Sequence, residues 1–240
     1  MQYRAFIPNS FTMANLLCGC MAIYHVLTRG DYGTAALLIG LAAFLDLFDG
    51  LTARMLGVAG DMGKQLDSLA DAVSFGVAPA LMVVDFAARM APEVGGSWWQ
   101  FLPLLLAIAS VYRLAKFNLD TRQTDGFRGL PTPANALFWI ALVQLYAGGH
   151  PWGAWLNWPL VAVLVVAFSA WMVSDIPLIA LKFKGRTWTE NRFRYLMIAA
   201  VVVLVLASWV LYKSVFPAVP ILIPLYLLIS LMSRYTKPQS

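Results

Sequence analysis

The chain is dominated by apolar runs of about 20 residues, which is the length of helix that crosses the hydrocarbon core of a bilayer. Hydrophobic residues fill 60% of its 240 positions and charged residues only 12%, and the mean hydropathy is +0.72. An ordinary soluble domain carries about 25% charged residues. The sequence therefore predicts an integral membrane protein, not a soluble domain with a large core.

The apolar runs also predict the architecture, because each is expected to form one transmembrane helix. We expect eight segments, at about residues 7–27, 32–55, 65–88, 98–118, 133–147, 155–175, 195–212 and 219–232. The segments between them are too short for a soluble domain. The predicted fold is an all-α bundle of about eight transmembrane helices in a single membrane domain, residues 1–240. Residues 1–180 would hold the core catalytic spans and residues 181–240 a C-terminal helix pair.

Basic residues indicate how the helices are oriented. With eight spans, all but three of the 17 Lys and Arg residues fall on the side that holds both termini; the exceptions are Arg29, Arg89 and Lys213. Positive charge accumulates on the cytoplasmic side of membrane proteins. We therefore expect a multi-pass protein of the inner (cytoplasmic) membrane with both termini in the cytoplasm. No basic run alternates with aromatic residues, so no nucleic acid partner is expected.

Acidic residues interrupt the second and third apolar segments at Asp46, Asp49, Asp67 and Asp71. An acid at the centre of a membrane helix costs about 2.5 to 3.5 kcal/mol on insertion scales. These acids could simply pair with basic residues or hold helices together. Only Arg54 and Lys64 lie nearby to balance them, however, so a functional site is the better interpretation.

The spacing puts the acids of each segment on one helical face. Asp46, Asp49 and Gly50 fall at i, i+3 and i+4, and Asp67 and Asp71 fall at i and i+4. If the two faces meet, the carboxylates converge, and they can remain ionised together only beside cations. Oxygen ligands favour Mg²⁺ or Mn²⁺ over Zn²⁺, which usually recruits Cys or His. The predicted metal ligands are Asp46, Asp49, Asp67 and Asp71.

Small residues and one arginine accompany the acids. Gly50, Ala53 and Gly63 would let a bulky ligand approach closely, and Arg54 supplies a forked donor suited to phosphate. Together with a divalent metal, these residues describe a diphosphate-binding site. The site flanks the second loop, so we expect it to open toward the cytoplasm.

The spacing Asp46-x2-Asp49-Gly50-x2-Ala53-Arg54-x8-Gly63-x3-Asp67-x3-Asp71 resembles the signature of the CDP-alcohol phosphotransferases at all eight defining positions. Within that superfamily, further segments are similar to the bacterial and archaeal phosphatidylserine synthases: IPNSFTMANLLCGCMAIY, DSLADAVSFGVAPA, YRLAKFN, GFRGLPTPAN and MVSDIP. Together with the signature, these segments touch six of the eight predicted spans. The last two spans carry no motif that adds to the resemblance.

The resemblance implies the CDP-alcohol phosphotransferase fold and transfer of the phosphatidyl group from CDP-diacylglycerol to L-serine, giving phosphatidylserine and CMP. It implies two Mg²⁺ or Mn²⁺ ions, Asp67 and Asp71 as catalytic residues, and Asp71 as the base for the serine hydroxyl. It also implies a homodimer. The residues expected to bind the CDP moiety are Gly50, Ala53, Arg54, Gly63, Asn9 and Thr12.

Basic residues of the fourth span and the following loop are candidates to receive the serine carboxylate or a lipid phosphate: Arg113, Lys116 and Arg128. They could also be ordinary cytoplasmic-side residues. Arg113 lies deepest in its span, which favours a site role. The family commonly has Arg where Lys116 stands, and Lys keeps the charge but lacks the bidentate fork.

Polar residues of the first span recur at helical spacing near its cytoplasmic end, at Asn9, Thr12 and Asn15. They either hydrogen-bond the nucleotide or cap a helix that begins after Pro8. The sequence leaves both interpretations open.

Two other functions also stay open. Another member of the superfamily would use glycerol phosphate or inositol phosphate as acceptor, and such a phosphate should demand a denser basic pocket than one carboxylate does. A cation transporter would also contain intramembrane acids. Against transport, we find no broken-helix repeats and expect no acid in the far half of the membrane to continue a path.

Overall fold

The computed structural model describes residues 2–58, 60–93, 95–119, 126–179 and 188–235. Within them lie the helices α1 (Gln2–Arg29), α2 (Tyr32–Leu56), α3 (Asp61–Asp71), α4 (Ala78–Met90), α5 (Leu104–Leu119), α6 (Thr132–Ala147), α7 (Trp158–Val173), α8 (Trp188–Tyr212) and α9 (Val219–Tyr235). Two strands, β1 (Gly126–Arg128) and β2 (Pro177–Ile179), complete the described elements. Some basic residues used to predict the orientation lie outside the described residues: Arg122, Lys182, Lys184, Arg186 and Lys237.

In the described part of the chain, six helical segments are long and apolar enough to cross a membrane. One of them, Asp61–Met90, combines α3 and α4, which a π-helix over Ala72–Val77 joins without a break. α6 and α7 have 16 residues each, or about 24 Å of helix, and are shorter than the bilayer core of about 30 Å. The prediction of an all-α, multi-pass membrane protein with about eight helical segments is confirmed.

The first and seventh predicted spans correspond to α1 and α8, and both helices begin earlier than predicted. Their first turns are polar, so the predicted apolar segments did not include them. α8 begins at Trp188. α1 begins at Gln2 and continues through Pro8, so the interpretation that Asn9, Thr12 and Asn15 cap a helix beginning after Pro8 is wrong. These three side chains lie within α1 and can face its neighbours.

The span formed by α3 and α4 is the most buried of the bundle. In its most apolar window 67% of residues are buried within the protein, against 11% for α8. α1 packs along α2 and also contacts α3, the π-helix and α4, while α5 and α6 contact the π-helix from other sides. The largest buried side chains of this core include Phe75, Met82, Leu106 and Trp139. The acidic segment is therefore enclosed by other helices, whereas α8 is left largely exposed.

Two glycines permit close packing around the π-helix. A Cβ at Gly19 of α1 would collide with the side chain of Ser74 and would lie 2.8 Å from its Cα atom. A Cβ at Gly76 would lie 3.0 Å from the Ser110 Cβ of α5. α1 and α5 therefore both pack closely against the π-helix, which directly follows Asp71. Such π-helical turns often occur at functional sites.

A two-stranded ribbon joins the segments before α6 and after α7, where the sequence predicted only loops. β1 pairs antiparallel with β2, and Arg128 lies opposite Pro177. Next to the ribbon, Gly129 has a φ of 69° and donates its N–H to the carbonyl of Ile176 at 2.9 Å. Strands of three residues contain too little alternation to be predicted. The ribbon fixes the backbone at Arg128 beside the chain that follows α7.

The far end of the bundle has a polar cluster of its own. Asp85 accepts a hydrogen bond from the Tyr32 hydroxyl at 2.7 Å and from Nε of Arg89 at 2.8 Å. Gln144 Nε2 donates to the Tyr32 carbonyl at 2.6 Å. Asp85 contradicts the expectation that no acid lies in this half of the membrane. Its charge is paired with Arg89, so the cluster ties α2, α4 and α6 together.

Candidate active site

The predicted aspartates meet where α2 faces α3. Asp46 and Asp49 lie in the C-terminal half of α2, and Asp67 lies in the middle of α3. One carboxylate oxygen from each of these residues lies within 4.8 Å of the others. The helical spacing that puts acids on one face of each helix therefore also brings them together between the helices.

Asp71 is the last residue of α3 and adjoins this group of three. Its side chain is buried, as is that of Asp49, while those of Asp46 and Asp67 are partly exposed. Asp71 interacts electrostatically with the other three carboxylates. It therefore belongs to the same cluster, one helical turn beyond Asp67 and next to the π-helix.

Two residues of α1 hold two of these carboxylates. The hydroxyl of Thr12 donates to Asp49 Oδ2 at 2.6 Å, and Nδ2 of Asn15 donates to Asp71 Oδ1 at 3.1 Å. Both are buried. Thr12 was predicted to bind CDP, and in this structure its hydroxyl is bound to Asp49, so a CDP contact stays a prediction.

Arg113 of α5 lies near Asp71. It is only 7% exposed, interacts electrostatically with Asp71 and with Tyr226 of α9, and its Nε has no hydrogen-bond partner. The Arg113 guanidinium is also 6.0 Å from the centre of the Phe117 ring. A buried guanidinium with an unused N–H beside the acidic cluster is a suitable binding group for an anion.

The residues predicted to bind CDP lie on α1, near the end of α2 and near the start of α3. A Cβ built on Gly50 would lie 3.6 Å from the Arg54 guanidinium, so this side chain folds back along α2, and it interacts electrostatically with Asp49. A Cβ on Gly63 would lie 3.8 Å from Asn9 Oδ1, which brings α1 next to the start of α3. Ala53, one turn after Gly50, is partly exposed.

The other two predicted cations are Lys116 and Arg128. Nζ of Lys116 donates to Asp175 Oδ1 at 2.9 Å and to the Val173 carbonyl at 3.3 Å, which ties α5 to the end of α7. Arg128 is the last residue of β1 and is partly exposed. Arg113 is thus the predicted cation that interacts electrostatically with Asp71, and a substrate role for Lys116 and Arg128 stays a prediction.

The three close carboxylates fit a divalent cation. Among the described residues, Asp67 Oδ1 is buried and lacks a hydrogen-bond partner, and such an oxygen is costly unless something binds it. Hard cations such as Mg²⁺ prefer oxygen ligands of this kind. The residues that would hold the ion are Asp46, Asp49 and Asp67.

Residues 5–171 match the family model described as CDP-alcohol phosphatidyltransferase. The match covers more than half of the chain and includes both helices that carry the aspartates. The chain belongs to the CDP-alcohol phosphatidyltransferase family. This family generally depends on divalent metal ions, which agrees with the cluster of carboxylates.

Several relatives named CDP-diacylglycerol–serine O-phosphatidyltransferase resemble this chain in sequence. The Bacillus subtilis protein is 36% identical over 141 residues, which are 59% of this chain and 77% of that protein. The Mycobacterium leprae protein is 37% identical over 180 residues, 72% of this chain and 57% of that protein. The Methanocaldococcus jannaschii protein is 32% identical over 172 residues, 71% of this chain and 72% of that protein.

Two residues next to the cluster make contacts that the sequence did not predict. Asn15 was in helical register with Asn9 and Thr12, and that register could have indicated that it shares their face. Tyr226 gave no signal, because α9 reads as a continuous apolar span. Only the packing of α9 within the bundle brings Tyr226 near Arg113.

Proposed function

We propose that this chain transfers the phosphatidyl group of CDP-diacylglycerol to the hydroxyl of L-serine, giving phosphatidylserine and CMP. The observation that carries the proposal is the meeting of Asp46, Asp49 and Asp67 within 4.8 Å, with Asp71 and Arg113 beside them. The names of the similar relatives support serine as the acceptor. The cluster supplies the chemistry, and the relatives supply the identity of the substrate.

The carboxylates of Asp46, Asp49 and Asp67, with a share from Asp71, would hold two divalent ions, Mg²⁺ or Mn²⁺. Bound ions of this kind neutralise a diphosphate and stabilise the negative charge of the departing CMP. The CDP moiety would lie against Gly50, Ala53 and Gly63, where small side chains leave space. Arg54 would contact a phosphate, and Asn9 and Thr12 would border the nucleotide.

Asp71 would act as the base in the transfer, with Asp67 as its neighbour. In the proposed step it accepts the proton of the serine hydroxyl, the hydroxyl oxygen bonds to the lipid-bearing phosphorus, and the bond from that phosphorus to CMP breaks. A base within hydrogen-bond reach of the reacting hydroxyl typically contributes about 10²- to 10⁴-fold in rate. Arg113 would bind the serine carboxylate, and Arg128 and Lys116 are further candidates for the carboxylate or a lipid phosphate.

The surroundings of the site suit a lipid substrate. The aspartates lie on helices that are apolar enough to cross a membrane, so acyl chains could remain in the bilayer while the diphosphate reaches the carboxylates. We propose that the site opens to the cytoplasm at the inner membrane, because basic residues accumulate on that side. We also propose a homodimer, which crosslinking in native membranes would test.

Release of CMP from CDP-diacylglycerol by the purified full-length protein tests the function. The assay compares four conditions, with and without L-serine and with and without Mn²⁺ or Mg²⁺. We expect CMP release only when serine and metal are both present, together with phosphatidylserine detected by mass spectrometry. An Asp61→Asn variant is the matched control, because Asp61 is an exposed acid at the start of α3.

The same assay identifies the acceptor if it is not serine. CMP release with glycerol phosphate or inositol phosphate, and none with serine, would overturn the acceptor and leave the family chemistry in place. Metal flux into liposomes that needs no nucleotide would instead favour a cation transporter. Each result excludes the other two functions.

A further inference from the structure

Asn15 is completely buried beside Asp71 and uses only one end of its amide. Its relative exposure is 0%, and its Nδ2 donates to Asp71 Oδ1 at 3.1 Å. Its Oδ1 is buried and has no hydrogen-bond partner in the described part of the chain. Buried polar atoms nearly always have a hydrogen-bond partner in folded proteins. The Asn15 Oδ1, next to the proposed base Asp71, is therefore available to accept a hydrogen bond from a bound ligand.

The backbone of Asn15 has its own hydrogen bond to the π-helix. The Ser74 hydroxyl, in the π-helix, donates to the Asn15 carbonyl at 3.0 Å. α1 can approach the π-helix this closely because residue 19 is a glycine, and any Cβ there would collide with Ser74. The backbone at Asn15 is thus anchored to the π-helix, and the side-chain amide is held by its hydrogen bond to Asp71.

A complementary unused donor, Nε of Arg113, also lies near Asp71. Arg113 is 7% exposed, its Nε is unpaired, and it interacts electrostatically with Asp71. One carboxylate therefore has a free amide acceptor and a free guanidinium donor as neighbours. A ligand that binds all three groups needs a cationic or neutral hydrogen-bond donor for Asn15 Oδ1, a hydroxyl for Asp71 and an anion for Arg113.

L-Serine has these three groups on adjacent atoms: an ammonium, a hydroxyl and a carboxylate. We propose that Asn15 selects an amino alcohol as the acceptor, because its Oδ1 accepts a hydrogen bond from the ammonium while its Nδ2 orients Asp71 toward the hydroxyl. This inference rests on the proposed function and adds a specificity-determining residue to it. Glycerol phosphate and inositol phosphate contain no ammonium group, so Asn15 would give them no charge-assisted hydrogen bond.

Two analogues of serine test the assignment without requiring turnover. 3-Hydroxypropanoate lacks the ammonium and ethanolamine lacks the carboxylate. Their affinities and that of L-serine are measured by titration calorimetry on the full-length protein with Mn²⁺ and CMP present. In the Asn15→Leu variant, which has a similar size and no polar atom, serine should bind about 10- to 100-fold more weakly. The affinity for 3-hydroxypropanoate should fall several-fold less than that for serine, because this analogue loses only the orientation of Asp71 by Nδ2 and makes no hydrogen bond to Oδ1.

An Arg113→Gln variant provides the complementary measurement. It should weaken serine and 3-hydroxypropanoate by similar factors and leave ethanolamine nearly unchanged, because only the carboxylate contact is lost. Ser10→Ala is the matched control on α1, since Ser10 is exposed and its hydroxyl donates to the Phe6 carbonyl of the same helix. The control should leave all three affinities as in the wild type.

The assignment is overturned if the ratio of the affinities for serine and 3-hydroxypropanoate is the same in Asn15→Leu as in the wild type. Misfolding is excluded by wild-type Mn²⁺ affinity and a single peak in size-exclusion chromatography. If Asn15→Leu does not fold, Asn15→Asp replaces it: this variant keeps an oxygen for the ammonium and loses the donor to Asp71, so the serine preference should persist while kcat falls. Loss of the serine preference in Asn15→Asp would contradict the assignment.

The outcomes for the two proposals can be told apart. If the wild type neither binds nor uses serine, the proposed function itself is refuted. If the wild type uses serine but substitution of Asn15 does not change the preference for it, only this inference is refuted.

Discussion

The Thr12 hydroxyl lies 2.6 Å from the Asp49 carboxylate and donates a hydrogen bond to it from a neighbouring helix. Thr12 is 3% exposed and Asp49 6% exposed, so water does not compete for this contact. Loss of a buried group that orients a metal-binding side chain typically costs about 10- to 100-fold in metal affinity or activity. The first helix is therefore part of the site, although it contributes none of the four aspartates.

Replacing Thr12 by Val removes the hydroxyl at nearly constant volume. We expect Mn²⁺ affinity to fall about 10- to 100-fold, because the Asp49 carboxylate is no longer held. Electron paramagnetic resonance of free Mn²⁺ measures this affinity, with Ser10→Ala as the control. Unchanged Mn²⁺ affinity with a raised KM for CDP-diacylglycerol would contradict this role and favour direct contact of Thr12 with the nucleotide.

Replacing Asp67 by Asn removes one of the three close carboxylates. We expect CMP release to fall at least about 100-fold, together with Mn²⁺ affinity, because two carboxylates cannot hold the ion as three do. Asp61→Asn, with the same chemical change at an exposed position of the same helix, should retain both properties. Normal Mn²⁺ affinity in Asp67→Asn would remove this residue from the metal site.

Replacing Asp71 by Asn should separate chemistry from binding. As the proposed base, Asp71 should lower turnover about 10²- to 10⁴-fold when it is lost, while affinities for Mn²⁺ and CDP-diacylglycerol stay within about threefold. Single-turnover CMP release and equilibrium binding measure the two effects. Equal losses in both would identify Asp71 as a metal ligand only.

Replacing Gly19 by Ala tests the close contact between α1 and the π-helix. The added Cβ would collide with Ser74, and overpacking of this kind costs about 1 to 3 kcal/mol. We expect a lower Tm in detergent and weaker serine binding, because Asn15 would shift with its helix. Gly40→Ala is the control: a Cβ there meets nothing within 4 Å, and the helix propensity gain is about 1 kcal/mol. A similar Tm for both variants would contradict the prediction.

Replacing Lys116 by Met and Asp175 by Asn distinguishes an ion pair from a substrate contact. The two groups are 2.9 Å apart, with side-chain exposures of 31% and 61%, and such pairs contribute about 0 to 1 kcal/mol. If Lys116 serves only to tie α5 to α7, both variants should leave the serine KM unchanged, and the double variant should be no less stable than either single one. A KM raised only in Lys116→Met would support the predicted contact with a substrate anion.

Much of this fold follows from local properties of the sequence. The number of apolar segments, their approximate ends and the acidic faces of the second and third spans were all predicted, since the helix repeat fixes which residues share a face. α6 was also expected to be short. The β1–β2 ribbon was not predicted, because strands of three residues have no recognisable pattern and their partner lies about 50 residues away.

The contacts of the individual side chains required the tertiary structure. The spacing of Asn15 could assign it to a face of α1, but only the packing of α1 on the π-helix puts its amide against Asp71. Likewise Lys116, which the sequence grouped with Arg113, meets Asp175, and Tyr226 reaches Arg113 from an apolar span without a motif. The sequence by itself determined that four acids lie on two membrane helices, because helical periodicity is a local property. Which residues surround those acids was decided by the rotation and close approach of distant helices, and these depend on how small residues such as Gly19 and Gly76 let whole surfaces fit together.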